Sequence, residues 1–241
     1  MIFRDIVLDA LHFADRRDGE FPRDRLQIQR ATFCVADLYL KFLARVETPA
    51  TNKVIVALSS DPEVCASRKV ERLLNVIEFP WPFSFDRYSV LSAFEKKHML
   101  LDTLHAAVVW LAEHESWDVE PLQAAYSFAI AHKLENAFFW KDGKSWRSPD
   151  GRFKARLYYT FGTETAEVYA VIYDKGNKEI GWKLLKQERA GDAIILDIIG
   201  KCEWASATSF VLRPRVKVFG GKNKWTCKTT DLDERPSQIA I

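Results

Sequence analysis

Hydrophobic and polar residues alternate along the C-terminal part of the chain, in the pattern of β-strands. Between residues 153 and 161 every second residue is apolar, which is the period of a strand with one buried face. A second such run, 166–173, leads into a turn where Gly176 and Asn177 tolerate positive φ. The remaining strand candidates are 180–186, 193–199, 210–219 and 224–229. Together these segments predict an antiparallel β-meander of five to six strands.

The N-terminal part instead places apolar residues at three- and four-residue intervals, which predicts helices. The predicted helices cover 24–47, 61–77, 89–113 and 118–135, and a weaker pattern favours helix over strand at 1–13. Asp61 is the expected N-cap of the second helix and Ser89 that of the third. One short apolar run, 53–58, predicts a strand buried on both faces. Whether residues 1–47 are helical or stranded stays open at this stage.

These elements predict an α+β protein, with a helical N-terminal portion packed on the C-terminal antiparallel β-meander. The expected portions are a mixed, mainly helical one at 1–140, a sheet at 141–230 and a loosely ordered tail at 231–241. The helices at 89–113 and 118–135 are expected to be antiparallel neighbours that lie against the sheet. A length of 241 residues is also compatible with one single domain.

Composition indicates a soluble globular protein, with 48% hydrophobic and 28% charged residues. No apolar segment reaches the ~20 residues needed to cross a bilayer, and acids interrupt the N-terminal apolar run. Cys34, Cys65, Cys202 and Cys227 form no CxxC pair, which favours free buried thiols in a reducing compartment. A bridge between Cys202 and Cys227 is the open alternative. We therefore expect a cytoplasmic protein without a cofactor or a membrane partner.

Charge is distributed unevenly along the chain. Residues 1–140 carry 16 Lys and Arg against 20 Asp and Glu, whereas residues 141–228 carry 18 against 10. The helical part is therefore acidic and the predicted sheet is basic. Such asymmetry can indicate an anionic partner, but the imbalance is modest and also fits ordinary solvated surfaces.

The best metal-like pattern lies on the helix predicted at 89–113. Glu95, His98, Asp102 and His105 are spaced three, four and three residues apart, so they share one arc of that helix. Zinc and iron sites accept these residue types. The alternative interpretation is that these four residues form a solvated polar face opposite the apolar stripe of the helix. It is favoured because no second helix offers a matching Glu-x-x-His.

A basic and aromatic surface on the predicted sheet is the candidate for nucleic-acid binding. Cations that meet phosphates beside aromatic rings that stack on bases are typical of single-strand binding surfaces. The residues concerned are Lys154, Arg156, Tyr158, Arg213, Arg215 and Lys217. Charged outer faces are also routine on sheets in water, so this signal is weak.

An aromatic segment at 79–88 is the candidate for contact with a protein partner. Its two prolines predict a rigid loop rather than a helix. The contact residues expected there are Trp81, Phe83, Phe85, Asp86 and Tyr88.

The chain contains no GxxxxGK[ST], GxGxxG or GxSxG sequence, so common phosphate-binding and hydrolase motifs are missing. The leading hypothesis is a non-enzymatic protein that sequesters a protein partner, as immunity and antitoxin proteins do. A nucleic-acid-binding protein and a metal-dependent enzyme are the alternatives. The identity of the partner and the oligomeric state are left open.

Overall fold

A computed structural model describes residues 1–10, 23–190, 199–215, 224–237 and 239. The chain divides into two compact units, Met1–Asn136 and Ala137–Ile241.

The first unit contains a four-stranded sheet with mainly parallel strands. Its strands are β1 (Asp5–Asp9), β2 (Lys53–Ser59), β3 (Glu71–Leu73) and β4 (Val76–Pro82). Their order is β1-β2-β4-β3, with β1, β2 and β4 parallel and β3 antiparallel to β4. The strand predicted at 53–58 is confirmed as β2, in the middle of this sheet.

Strand β1 corrects the helix favoured at 1–13. Ile6 and Leu8 are buried on one face, at 2% and 0% exposure. Asp5 pairs in register with Lys53 of β2, and their side chains form an ion pair of 3.0 Å. The alternation of one buried and one half-exposed residue is that of a strand. Residues 11–13 lie outside the described part.

Five helices accompany this sheet in the described part of the unit. They are α1 (Arg23–Phe42), α2 (Pro62–Ser67), α3 (Phe85–Ser89), α4 (Ala93–His114) and α5 (Glu120–Ala131). Helix α1 packs on β1 and contacts both α4 and α5. Tyr39, Leu100 and Leu104 are fully buried in this helical layer, and burying such a leucine stabilises the fold by about 1.5–3 kcal/mol.

Three of the predicted helices are confirmed with shifted ends. Helix α1 stops at Phe42 rather than at residue 47, and α5 spans a shorter range than 118–135. The N-cap of α4 is Ser92 rather than Ser89. Ser92 and Glu95 form a capping box, in which each side chain bonds the backbone N–H of the other.

The helix predicted at 61–77 is wrong beyond its first turns. Asp61 caps α2 as expected, but α2 ends at Ser67, and Arg68 takes a left-handed conformation with φ 38°. The chain then turns into the β3–β4 hairpin, so the apolar spacing at 70–77 belongs to strands. A left-handed residue is a common way for a helix to end.

Strand β4 and helix α3 correct the loop predicted at 79–88, because Phe79–Pro82 continues the sheet and Phe85–Ser89 is helical. The amide of Phe83 donates to the carbonyl of Ser59 in β2. Strand amides alternate in direction, so those of residues 80 and 82 would point away from β2. The register with β3 ends at Glu78. Pro80 and Pro82 therefore cost no hydrogen bond to β3.

The second unit consists of antiparallel strands, which confirms the predicted sheet. They are β5 (Ala137–Phe139), β6 (Ser145–Arg147), β7 (Phe153–Phe161), β8 (Thr165–Asp174), β9 (Glu179–Arg189), β10 (Lys201–Ser206), β11 (Ser209–Arg213) and β12 (Trp225–Lys228). They form one sheet of order β5-β7-β8-β9, with β6 beside β7, and a second of order β10-β11-β12. The fold is therefore α+β, with an antiparallel C-terminal half. Strand candidates 193–198 and 214–219 are not among the described strands, and 193–198 and 216–219 lie outside the described residues.

The segment expected to be a loose tail is tied to β9 where the structure describes it. The backbones of Trp182 and Asp233 exchange two hydrogen bonds, of 2.9 and 2.7 Å. Arg235 forms hydrogen bonds with both carboxylate oxygens of Glu179. Ile239 is 6% exposed and joins a core cluster with Tyr158, Tyr169, Val171 and Trp182.

No helix among the described residues is long and apolar enough to cross a membrane.

Candidate functional site

The aromatic residues predicted to contact a partner are mostly part of the core. Phe83, Phe85 and Tyr88 are exposed by 4%, 8% and 5%. The Phe83 ring contacts the rings of Phe85 and Tyr88, at centroid distances of 5.0 and 5.7 Å. Asp86 is exposed on α3, and Trp81 is partly buried at the end of β4. Of this set only Trp81 and Asp86 can meet another molecule without unfolding.

Trp81 belongs to a group of aromatic rings between β4 and the C-terminal half of α4. Its ring centroid lies 5.8 Å from that of Trp110, with the planes at 50°. Phe79, which is 1% exposed, lies beneath both rings, 5.2 Å from Trp110. His114 stacks on Trp110 with nearly parallel planes, at 5.4 Å. The buried Phe79 ring anchors the group, and Trp81 and Trp110 remain partly accessible.

Arg68 covers the two tryptophans from the end of α2. Its guanidinium carbon is 4.9 Å from the ring centroid of Trp81 and 5.1 Å from that of Trp110. Both distances are within the ~6 Å range of a cation–π interaction. Arg68 is an exposed residue, so the indole rings position its guanidinium while leaving it open to solvent.

The neighbouring cations on the hairpin are paired with carboxylates. Lys69 binds Glu71 at 2.8 Å, and Arg72 binds Glu115 at the end of α4. His114 is also near Glu115, with 3.7 Å between Nε2 and the carboxylate. Since exposed pairs of this kind stabilise a protein little, their main effect is on the charge that the surface presents.

The tip of the β3–β4 hairpin exposes two leucines. Leu73 is 75% exposed and Leu74 is 92% exposed. Leu74 also has φ of 55°, in the left-handed region that favours glycine and asparagine. We call Arg68, Arg72, Leu73, Leu74, Trp81, Trp110 and His114 the edge surface. Arg72, Leu73 and Leu74 belong to the hairpin at the edge of the sheet, and the others lie at the ends of α2 and β4 and on the C-terminal half of α4.

The four candidate metal ligands are engaged in separate hydrogen bonds. Glu95 belongs to the α4 capping box, and its pKa is lowered by hydrogen bonds from the Ser92 hydroxyl and from the Ser92 amide. His98 Nδ1 lies 2.9 Å from Asp102, whose other oxygen accepts from the Tyr126 hydroxyl at 2.8 Å. Within the described residues no group of three or more His, Cys, Asp or Glu could hold a metal ion. The arc is therefore accounted for by helix capping and helix–helix contacts.

His105, the fourth of that arc, lies among α1, α4 and α5. Its Nδ1 is 3.1 Å from the Tyr39 hydroxyl, and its Nε2 is 3.1 Å from the Gln123 side chain. The ring stacks on Tyr126 at 4.3 Å. Burial lowers the pKa of His105, although the Gln123 hydrogen bond and the Asp102 charge oppose the shift. The position suits a neutral imidazole that holds helices together.

The residues proposed for nucleic-acid binding do not form one exposed surface. Tyr158 is 4% exposed and packs against Trp182 and Phe139 in the core of the second unit, so its ring has no face for a base. Arg156 lies over the rings of Phe139 and Tyr173. Lys154 donates to the Asn177 side chain at 2.6 Å.

The other basic candidates belong to the second sheet of this unit. Arg213 in β11 pairs with Glu203 in β10 at 3.2 Å. Hydrogen bonds from Lys201 and Arg213 lower the pKa of Glu203, so this carboxylate stays ionised. Arg215 is exposed beyond the end of β11. Lys217 lies outside the described residues.

All four cysteines are free, and none forms a disulfide. Burial raises the pKa of Cys34, Cys202 and Cys227 to about 12. Because the thiolate is the nucleophile, these thiols are unreactive near neutral pH. The free-thiol interpretation, rather than a bridge between Cys202 and Cys227, is confirmed.

Sequence reasoning missed most of the edge surface. It assigned Leu73 and Leu74 to the helix predicted at 61–77, and it singled out neither Arg68 nor Trp110. The signal was non-local, since Arg68 and Trp110 are 42 positions apart and meet only through α2, β4 and α4. Comparison of the chain with protein-family models, curated proteins and solved structures finds no match.

Proposed function

We propose that this chain is a non-enzymatic protein that binds a protein partner through the edge surface. The observation that carries the proposal is the exposure of Leu73 and Leu74, at 75% and 92%, at the tip of the β3–β4 hairpin. Arg68 and two partly accessible tryptophans lie towards the other end of the same hairpin. Tryptophan and arginine are enriched among the residues that contribute most to protein interfaces. An exposed apolar tip costs solubility, which contact with a partner would offset.

The charge of the first unit supports a protein rather than a nucleic acid as this partner. Residues 1–140 carry 16 basic and 20 acidic side chains, a net of −4. Nucleic-acid binding depends mainly on neutralising phosphates with Lys and Arg. Arg72 of the edge surface is paired with Glu115, and the neighbouring Lys69 is paired with Glu71. A phosphate backbone would find little free positive charge there.

Binding sequesters the partner, in the manner of an immunity or antitoxin protein. A negative unit favours association with a basic partner such as a nuclease domain, because opposite charges accelerate encounter. Contact itself would be made by the apolar and aromatic groups of the edge surface. The two effects are separable, because charge attraction weakens as salt is added and apolar contact depends on salt much less.

The test is retention of a partner by tagged protein in its host, compared between variants. Leu73→Ser combined with Leu74→Asn removes the apolar tip without touching the core. Val90→Ser is the matched control, because Val90 is 82% exposed and lies before the N-terminus of α4, whereas the edge surface adjoins its C-terminus. We expect wild type and the Val90 variant to retain one protein in stoichiometric amount, and the hairpin variant to lose it.

Three results would contradict the proposal. The hairpin variant could retain the same partner as wild type. The Val90 variant could lose the partner equally while still folded by circular dichroism, which would mean that binding does not depend on the edge surface. Nucleic acid could be retained without a protein and released by salt, which would favour the basic sheet instead.

A further inference from the structure

Arg68 is the one cation of its segment for which the described residues provide no acidic partner. Lys69 binds Glu71 and Arg72 binds Glu115. Arg68 has contacts of a different kind, with the faces of Trp81 and Trp110. The positive charge at the end of α2 is thus positioned by aromatic rings but not neutralised.

Stacking on a ring face leaves the hydrogen-bonding edge of a guanidinium unused. The five N–H donors of arginine lie in the plane of the group and match a carboxylate through two parallel hydrogen bonds. Two rings restrict the side chain before any partner arrives, so less conformational entropy is lost on binding. The left-handed backbone at Arg68, with φ 38° and ψ 35°, is a further constraint on where this side chain begins.

The surroundings favour a single carboxylate over a phosphate. One unpaired guanidinium supplies one positive charge, which a carboxylate matches. The acids Asp61 and Glu63 at the start of the same helix are exposed, and they repel a phosphate dianion more than a carboxylate because repulsion grows with charge. Asp61 also accepts the amides of Glu63 and Val64 at the start of α2, so those donors are already used.

We propose that Arg68, held over Trp81 and Trp110, binds an aspartate or glutamate side chain of the protein partner, whose apolar groups contact Leu73 and Leu74 separately. This inference rests on the proposed function and adds the chemistry of the partner's contact residues. The partner thus combines a locally placed acid and an apolar side chain.

The test uses a phage-displayed library of random dodecapeptides, selected on the full chain. Selection is repeated on Arg68→Gln, on Arg68→Lys and on the Leu73→Ser, Leu74→Asn double variant. The consensus peptide is then synthesised with its acid and with the matching amide, and both affinities are measured. Arg68→Lys keeps the charge over the rings but loses the two-pronged hydrogen bond, and Arg68 is exposed, so neither substitution should prevent folding.

We expect the wild-type consensus to contain an acid together with apolar residues. Its affinity should fall about 10- to 100-fold with Arg68→Gln, as expected for hydrogen bonds to a charged group. The amide peptide should lose a similar factor on wild type and nothing further on Arg68→Gln. The affinity of Arg68→Lys for the acid peptide should lie between those of wild type and Arg68→Gln.

The failures of the inference and of the proposed function are distinguishable. Peptides that need Leu73 and Leu74 but lack an acid, or bind Arg68→Gln equally well, would overturn the role of Arg68 and leave the function standing. Peptides rich in Lys or Arg would also overturn it, because a cation would then replace Arg68 over the rings. No enrichment on wild type over the double variant would overturn both.

Discussion

The Tyr39 hydroxyl lies 3.1 Å from Nδ1 of His105, and it donates to the carbonyl of Leu122 at 3.0 Å. One side chain of α1 is thereby joined to α4 and to α5. Tyr39 is fully buried, and burial raises the pKa of its hydroxyl. This buried polar contact specifies how three helices of the first unit meet, in addition to their apolar packing.

We expect the stability of the protein to decrease as the pH falls below about 6.5, through His105. Burial lowers the pKa of the folded state from the ordinary value of 6.5, so the unfolded chain takes up the proton first. Stability is then retained above the unfolded pKa and lost as the pH falls towards the folded one. Urea unfolding midpoints at pH 7.5, 6.5 and 5.5 would measure this loss.

The control for that experiment separates His105 from the other titrating groups. His105→Gln can still bond Tyr39 but does not titrate, so its midpoint should depend less on pH than that of wild type. His132→Gln, at an exposed position, should keep the wild-type dependence. An identical pH dependence in wild type and His105→Gln would refute the assignment.

We expect Leu74→Asn to stabilise the protein by about 1 kcal/mol. Leu74 has φ of 55° and is 92% exposed, so the substitution removes little packing. Asparagine accepts the left-handed conformation at lower cost than leucine. Leu73→Asn is the control. Leu73 lies in β3, so this substitution should not increase the stability of the protein. Equal effects of the two substitutions on the unfolding free energy would exclude backbone strain as the cause.

The gain in stability from Leu74→Asn should be accompanied by weaker binding of the partner. A strained apolar residue at an exposed tip is retained more readily where it has a function. Leu74→Asn should therefore raise the thermal midpoint and lower partner retention in the same preparation. A variant that is stabilised and binds as wild type would separate the strain from the function.

How far the sequence predicts this fold depends on whether the pattern is local. Helix α4 and strand β7 follow from the spacing of their own apolar residues, because each buries one continuous face. Strand β1 could not be recognised, since Asp5 suits a strand only when Lys53 of β2 is beside it. The residues at 70–77 fit a helix by spacing alone, and only the turn at Arg68 and the pairing with β4 exclude it.

The candidate site was less predictable than the fold. Trp81 was selected as part of an aromatic segment with two prolines, but Phe83, Phe85 and Tyr88 belong to the same segment and are buried. Exposure depends on which face α3 turns towards the core. The contact between Arg68 and Trp110 depends on the positions of three separate elements, so the spacing of residues along the chain could not predict it.

We expect Ser92→Ala to destabilise the protein by about 1 kcal/mol. Ser92 accepts the amide of Glu95, and Glu95 accepts the amide of Ser92, so the variant leaves the start of α4 without its cap. Ser89→Ala is the matched control, because the Ser89 hydroxyl bonds only the nearby Asp86 carbonyl among the contacts described. Chemical unfolding should show a lower free energy of unfolding for Ser92→Ala and no change for Ser89→Ala. A loss of stability for Ser89→Ala instead would contradict the observed start of α4.

We expect Ile239→Ala to destabilise the second unit by about 2–4 kcal/mol. Ile239 is 6% exposed among Tyr158, Tyr169, Val171 and Trp182, so a smaller side chain leaves a cavity against aromatic rings.

Ile180→Ala provides the comparison, since Ile180 is 44% exposed on β9 and should cost less than about 1 kcal/mol. Urea unfolding followed by tryptophan emission would measure both. Equal, small effects would mean that residues 231–237 and 239 contribute little to the core. A large effect of Ile239→Ala alone would show that they are an integral part of the unit, because the Trp182–Asp233 backbone pairing holds them against β9.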